Sequence, residues 1–147
     1  MDNRSTAMTG HQPNPGTGRD FGGIKTEPLD IEALVRGIGV KSVSTVDPYD
    51  VKATRKAVRE AIDFDGVAVV IAKQACPLEL KKQKMLEVKR CKVDHEKCVR
   101  CYTCLNTIAC PALIKDKDGS ILVDDIQCIG CGMCANVCPR SALEVKE

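Results

Sequence analysis

The chain has 147 residues, 44% hydrophobic but only 3% aromatic, which bounds it to one ordinary domain or two small ones with little aromatic core to share between them. Its formal net charge of +2 divides into +3 from Met1 to Arg90 (15 Lys and Arg against 12 Asp and Glu) and −1 from Cys91 to Glu147 (7 against 8), and neither part has the footprint of a nucleic-acid binder. No apolar run reaches the length of a membrane span, and Met1-Asp2-Asn3-Arg4 has neither the apolar core nor the cleavage site of a secretory leader, so a cytoplasmic protein with no nucleic-acid and no membrane partner is expected.

The first stretch, from Asp2 to Pro13, is polar and rich in small residues, and Pro15, Gly16, Gly18, Gly22 and Gly23 follow it. Composition predicts a loop, most simply a floppy terminal one, although an ordered loop of this length usually has a job, such as holding a ligand. His11 within it reads first as a loop histidine making ordinary hydrogen bonds and second as a substrate contact. Asp30 is placed to cap a helix with Ile31, Leu34, Val35 and Ile38 on one face, stopped by Gly37 and Gly39. A strand is expected over Val43–Val46, then a helix capped by Asp50 with Val51, Thr54, Val58, Ala61 and Ile62 at helical spacing and Lys52, Arg55, Lys56 and Arg59 facing water. Val67 to Ala72 is apolar on both faces, as in a buried parallel strand. Strand, helix and strand form a βαβ unit. Cys76, just beyond it, reads as a buried thiol. Residues 81–90, with Lys81, Lys82, Lys84, Lys89 and Arg90, read as an exposed basic linker between a first domain over 1–80 and a second over 91–147.

Eight of the ten cysteines fall in two copies of one pattern, Cys98, Cys101, Cys104 then Cys110-Pro111, and Cys128, Cys131, Cys134 then Cys138-Pro139. Three thiolates separated by two residues each can wrap one face of a [4Fe-4S] cube, and the fourth, beside proline, ligates the other cluster. Two [4Fe-4S] clusters are therefore expected, one held by Cys98, Cys101, Cys104 and Cys138, the other by Cys128, Cys131, Cys134 and Cys110. Five residues separate Cys104 from Cys110 where the common bacterial pattern has three, which lengthens the intervening helix without removing a ligand. Zinc suits this pattern poorly because it favours pairs of two-residue-spaced cysteines in groups of four. A disulfide framework would need an oxidising compartment. Cys91 has no cluster left to serve and reads as packing, on a strand entering the lobe. Leu113-Ile114 and Ile121-Leu122-Val123 around Asp118-Gly119 read as a hairpin, and Ala142 to Val145 as a strand returning to the lobe's first one.

Asp2-Asn3-Arg4-Ser5-Thr6-Ala7-Met8-Thr9-Gly10-His11-Gln12-Pro13 resembles the second half of the thiamine-diphosphate motif of 2-oxoacid:ferredoxin oxidoreductases, most closely the large (alpha) subunit of the indolepyruvate type. The βαβ unit resembles the C-terminal part of that family's diphosphate-binding domain. The resemblance implies an α/β partial thiamine-diphosphate-binding domain followed by an α+β two-cluster ferredoxin-like domain. It implies magnesium held by the Asn3 side chain and the Ser5 carbonyl, with Thr9, Gly10, His11 and Gln12 bordering thiamine diphosphate. The motif's Gly-Asp half is absent, as is the pyrimidine-binding domain, so catalytic completeness is not expected of this chain and no catalytic residue is assigned. The implied partners are the missing N-terminal part of the large subunit, the small (beta) subunit, and ferredoxin as acceptor of electrons from oxidative decarboxylation. A free-standing two-cluster electron carrier is the alternative reading.

Overall fold

The computed structural model describes residues 1–6, 10–82 and 89–146. The chain divides into two compact units, Met1–Leu86 and Glu87–Glu147. Among the described residues no helix is long and apolar enough to cross a membrane.

The first unit contains α1 (Ile31–Gly37), β1 (Ser42–Val46), α2 (Val51–Asp63), β2 (Ala68–Ala72) and α3 (Pro77–Lys82). Two aspartates start its helices: Asp30 accepts a hydrogen bond from the Ala33 amide at 3.1 Å and Asp50 from the Ala53 amide at 2.9 Å. Each satisfies an amide that the helix itself leaves unpaired. β1 and β2 run parallel in the register Ser42↔Ala68 to Val46↔Ala72, with α2 as the crossover. The chain's beginning joins this sheet: the Asp2 amide donates to the Ala72 carbonyl at 2.8 Å and the Gln74 amide to the Asp2 carbonyl at 3.0 Å, which makes a parallel bridge between Asp2 and Lys73. Asp2 and Asn3 thus stand at the carboxyl end of β2, where open α/β sheets place their ligands.

The strand expected to be buried on both faces is so only at Ile71, while Val67 is 69% exposed. The physical reason is that a sheet of two strands and one bridge has too few layers to cover it. Of the expected basic linker, Lys81 and Lys82 end α3, Arg90 begins β3, and residues 83–88 lie outside the described residues.

The second unit contains β3 (Arg90–Val93), α4 (Thr103–Ile108), β4 (Leu113–Lys115), β5 (Ile121–Val123), α5 (Met133–Val137) and β6 (Leu143–Lys146). It is one strand-helix-strand pattern used twice, thirty residues apart. The copies interlock, because β3 pairs antiparallel with β6 and β4 with β5. Asp94 and Asp124 open the cysteine runs identically. Asp94 Oδ1 accepts the Glu96 and Lys97 amides at 3.1 and 3.2 Å, and Asp124 Oδ1 the Ile126 and Gln127 amides at 2.7 and 3.3 Å. The Cys98 and Cys128 amides donate to the carbonyls of the same two aspartates at 3.0 and 2.9 Å. The Lys97 ammonium holds the Asp94 carboxyl below its usual range, and the Gln127 amide group does the same for Asp124. What these carboxylates contribute is therefore complete above the ordinary aspartate range and is lost as pH falls through the lowered folded values.

The extra length between Cys104 and Cys110 is cancelled locally. α4 is one residue longer than α5, and Ala109 closes it in the left-handed conformation, φ 49°. Two fewer residues then separate the Cys-Pro cysteine from the next core leucine, so Cys104 to Leu113 and Cys134 to Leu143 both span nine positions. Leu113 and Leu143 occupy matched, buried places in a core shared with Cys91, Cys104, Ile121 and Cys134.

Within the cysteine runs the backbone is left-handed at four matched positions, Arg100 (φ 54°) and Tyr102 (φ 58°) in one copy, Gly130 (φ 67°) and Gly132 (φ 74°) in the other. Side chains carry that conformation in the first copy at a cost of about 1 kcal/mol or more each. Gly130 is constrained further, since a Cβ there would lie 2.1 Å from the Lys89 carbonyl oxygen, whereas one at Gly132 would meet nothing nearer than Val145 Cγ2 at 3.6 Å. Gly130→Ala is expected to lower the melting temperature clearly more than Gly132→Ala. Equal melting temperatures in the two variants would show that the close approach to β3 is not a constraint.

Candidate iron-sulfur sites and the amino-terminal loop

The interlocked copies carry the last cysteine of each run across to the other copy's first three. Cys98, Cys101, Cys104 and Cys138 line one cavity, walled by Val93, Tyr102, Ile121 and Leu143. Cys110, Cys128, Cys131 and Cys134 line a second, of about 230 Å³, together with Cys91, Gly130 and Met133. All ten cysteines are free thiols. Among the described residues no three His, Cys, Asp or Glu converge as ligands of one ion would. Tetrahedral thiolates on zinc sit about 3.8 Å apart. The first cavity is small, about 20 Å³, against 230 Å³ for the second; in both, four thiols in an apolar lining are the donor set that a [4Fe-4S] cluster takes.

Polar hydrogens are aimed at the sulfurs. The Ala142 amide donates to Cys138 Sγ at 3.2 Å, the Cys91 amide to Cys128 Sγ at 3.4 Å, and the Thr103 hydroxyl to Cys101 Sγ at 3.4 Å. The Thr103 hydroxyl and amide hold the exposed Cys101 thiol below its usual range. Burial pushes the Cys104 and Cys131 thiols up. Cys134 is brought down to about 7 by its hydrogen-bond contact with the Cys91 thiol, Sγ to Sγ 3.3 Å, and the same contact, followed by burial, raises Cys91. Cys91, read from the sequence as packing, is buried as such a residue would be but also stands against two sulfurs of the second cavity. Its place on β3, matched by thirty residues to Ile121, is the signal that spacing arithmetic on the cysteine runs passes over.

In the first unit, Asn3 Oδ1 accepts the Ser5 amide at 3.2 Å, and Asp2 Oδ1 accepts the Arg4 amide at 3.0 Å. The Arg4 guanidinium pairs with Asp2 at 3.2 Å and donates to the Gly16 carbonyl at 2.8 Å. Ser5 is buried, and its hydroxyl has no hydrogen-bond partner among the described residues. The loop returns antiparallel, with the Thr6 amide donating to the Gln12 carbonyl at 3.1 Å and the His11 amide to the Thr6 carbonyl at 2.9 Å. Gly10 allows this turn with φ 105°. Asn3 and Ser5 are thus brought together, Gly10, His11 and Gln12 lie on the returning arm, and Thr9 is outside the described residues. The His11 ring nitrogen Nε2 stands 3.7 Å from Cys76 Sγ, so the thiol expected to be buried is half-buried and faces an imidazole.

A cavity of about 490 Å³ is lined by Asn3, Cys76 and three cations, Arg4, Arg19 and Lys25. The sequence reading did not single out these cations, because they are scattered among glycines rather than clustered. Two oxygen donors, Asn3 Oδ1 and the Ser5 carbonyl, are of the type magnesium takes, but magnesium demands six ligands. The residues present therefore fit part of such a site.

Residues 1–72 match the family described as thiamine pyrophosphate enzyme, C-terminal TPP binding domain, and residues 90–139 match the 4Fe-4S dicluster domain. The indolepyruvate oxidoreductase subunit IorA of Archaeoglobus fulgidus is 44% identical over 146 residues, and that of Pyrococcus horikoshii 43% over 148 residues; each match covers 98% of this chain and 23% of the relative. The pyruvate synthase subunit PorD of Methanocaldococcus jannaschii is 42% identical over 58 residues, 37% of this chain and 65% of that protein. The chain thus spans about a quarter of the length of the IorA relatives it matches. Both domain matches fall in the order that the two compact units follow, and over 98% of its length the chain is similar to a portion of the indolepyruvate oxidoreductase subunit IorA.

Proposed function

We propose that this chain is the electron-transfer portion of a thiamine-dependent 2-oxoacid:ferredoxin oxidoreductase acting on indolepyruvate or related aryl pyruvates. The observation that carries it is the sorting of eight cysteines into two sets of four around two apolar cavities, in a chain whose residues 1–72 match the thiamine pyrophosphate C-terminal binding domain. Cys98, Cys101, Cys104 and Cys138 hold one [4Fe-4S] cluster, and Cys110, Cys128, Cys131 and Cys134 the other. The clusters supply one-electron storage. Thiamine diphosphate, when bound in the complete enzyme, supplies an electron sink for decarboxylation of the 2-oxoacid.

The chain's own residues do the rest. Cysteine thiolates fix the clusters, and the Ala142 and Cys91 amides and the Thr103 hydroxyl stabilise charge on the sulfurs. Val93, Ile121 and Leu143 keep water from the first cavity. Asn3 and the Ser5 carbonyl supply two magnesium ligands, Gly10, His11 and Gln12 border the cofactor with Thr9, and the remaining ligands come from the preceding part of the large subunit. The small subunit and a ferredoxin acceptor complete the assembly, in the cytoplasm. A second reading, a free-standing two-cluster carrier, is favoured by one finding: the similarity to PorD, a separate subunit, is confined to 37% of this chain.

Purified without oxygen, the chain is expected to carry about eight iron atoms and a broad visible absorption that bleaches on reduction and returns when ferredoxin is added. Cys131→Ala should lose one cluster and destabilise the lobe, because metal binding here is folding free energy; unchanged iron would refute the ligand assignment. Protons compete with iron for thiolates, and burial holds Cys104 and Cys131 above the usual thiol range. Cluster loading should therefore fall as pH is lowered and release protons at neutral pH, measured as iron bound against pH; loading independent of pH would contradict it. Thiamine diphosphate with magnesium should leave the melting temperature of this chain unchanged, and a clear rise would show that Asn3 and Ser5 suffice.

A further inference from the structure

The two cysteine cavities are near copies, so a difference at matched positions is informative. At the place where the first cavity is walled by Ile121, 2% exposed, the second is walled by Cys91, 3% exposed, thirty residues earlier. An isoleucine offers no hydrogen to a sulfur, whereas a thiol offers one. Cys91 sits in the middle of β3, paired with Val145 of β6, so its position is fixed by the sheet rather than by any ligand. Its Sγ is 3.3 Å from Cys134 Sγ and 3.9 Å from the Lys92 carbonyl, and its amide is 3.4 Å from Cys128 Sγ. With both thiols protonated, Cys134 donates to Cys91 and Cys91 to the Lys92 carbonyl; once Cys134 gives up its proton to ligate iron, its sulfur is the nearer and the charged acceptor for the Cys91 S–H.

We propose that Cys91 is a positioning residue for the second cluster, its thiol donating to the Cys134 sulfur and its amide to the Cys128 sulfur, and that the thiol bond raises that cluster's reduction potential without ligating iron. This rests on the ligand reading given above. A hydrogen bond to a ligating sulfur is worth more when the cluster holds the extra electron, because the negative charge on sulfur is then larger, so the reduced form is favoured. Electron transfer itself forms and breaks no covalent bond here, and the Cys91 proton stays on its sulfur.

The test uses the full chain, reconstituted with iron and sulfide, with total iron and the two midpoint potentials read by an electron-paramagnetic-resonance redox titration. Cys91→Ala should keep the parent's iron content but shift one midpoint, leaving the other in place. The ratio of reduced to oxidised cluster at fixed ambient potential should fall about tenfold, equivalent to 59 mV for a one-electron step. Cys91→Ser, whose hydroxyl can donate, should recover most of the shift. Val123→Ala, which trims the same cavity wall without touching a donor, should not reproduce it. Loss of about four irons in Cys91→Ala alone would make Cys91 a ligand and overturn the proposal. Two unchanged midpoints, or a serine variant indistinguishable from alanine, would also overturn it. Should the alanine variant fail to fold, Cys91→Val, which fills nearly the same space without a donor, decides: the iron–thiolate stretching bands should shift on transfer to D2O in the parent and shift less in Cys91→Val, and identical shifts would refute a thiol donor. A parent that binds no iron sinks the ligand reading itself, a result distinct from all of these.

Discussion

The second unit depends on the exchange of strands between its two halves. Because β3 pairs with β6 and β4 with β5, neither copy can close without the other, and the cysteine preceding each proline is delivered to the opposite cavity. The apolar core is small, three of its six members being cysteines, so the sheet pairs and the metal must share the work of holding the lobe together. Folding and cofactor loading are coupled in such a lobe. Of the three core cysteines, Cys104 and Cys134 belong to the repeated runs and would have to surrender protons to ligate a cluster, whereas Cys91 would keep its own.

The same strand exchange makes the two sites comparable and lets small differences acquire meaning. Glycines at 130 and 132 replace the side chains at 100 and 102, Gly130 where the loop passes against Lys89 just before β3, and Cys91 replaces Ile121 on the wall. The longer α4 is absorbed by a shorter step to Leu113, so the helix changes without moving the core. Two cavities with the same ligand count can thus differ in electrostatics while sharing a backbone plan.

The first unit follows a different rule. Its parallel pair is extended by the bridge from Asp2 to Lys73, and that bridge sets Asn3, Ser5 and the returning arm at the carboxyl end of the sheet. Apolar side chains that the helical and strand patterns assign to a core, including Leu34, Ile38, Ile62 and Val67, are 52%, 75%, 69% and 69% exposed. Local periodicity formed the elements, but burial needs further layers, and those are not supplied within this unit.

The sequence by itself determined the helix starts at Asp30 and Asp50, the alternation of β6, the repeat of four cysteines and the polar loop from Asp2, because caps, periodicity and ligand spacing are local and act within a few residues. Only the tertiary structure decided that Cys91 lies against Cys134, that His11 meets Cys76, and that Arg4, Arg19 and Lys25 share one cavity. It decided, too, how little of the Val67–Ala72 run is covered. These follow from strand register and loop closure across 43 and 65 positions of chain, distances over which no residue pattern records its neighbour.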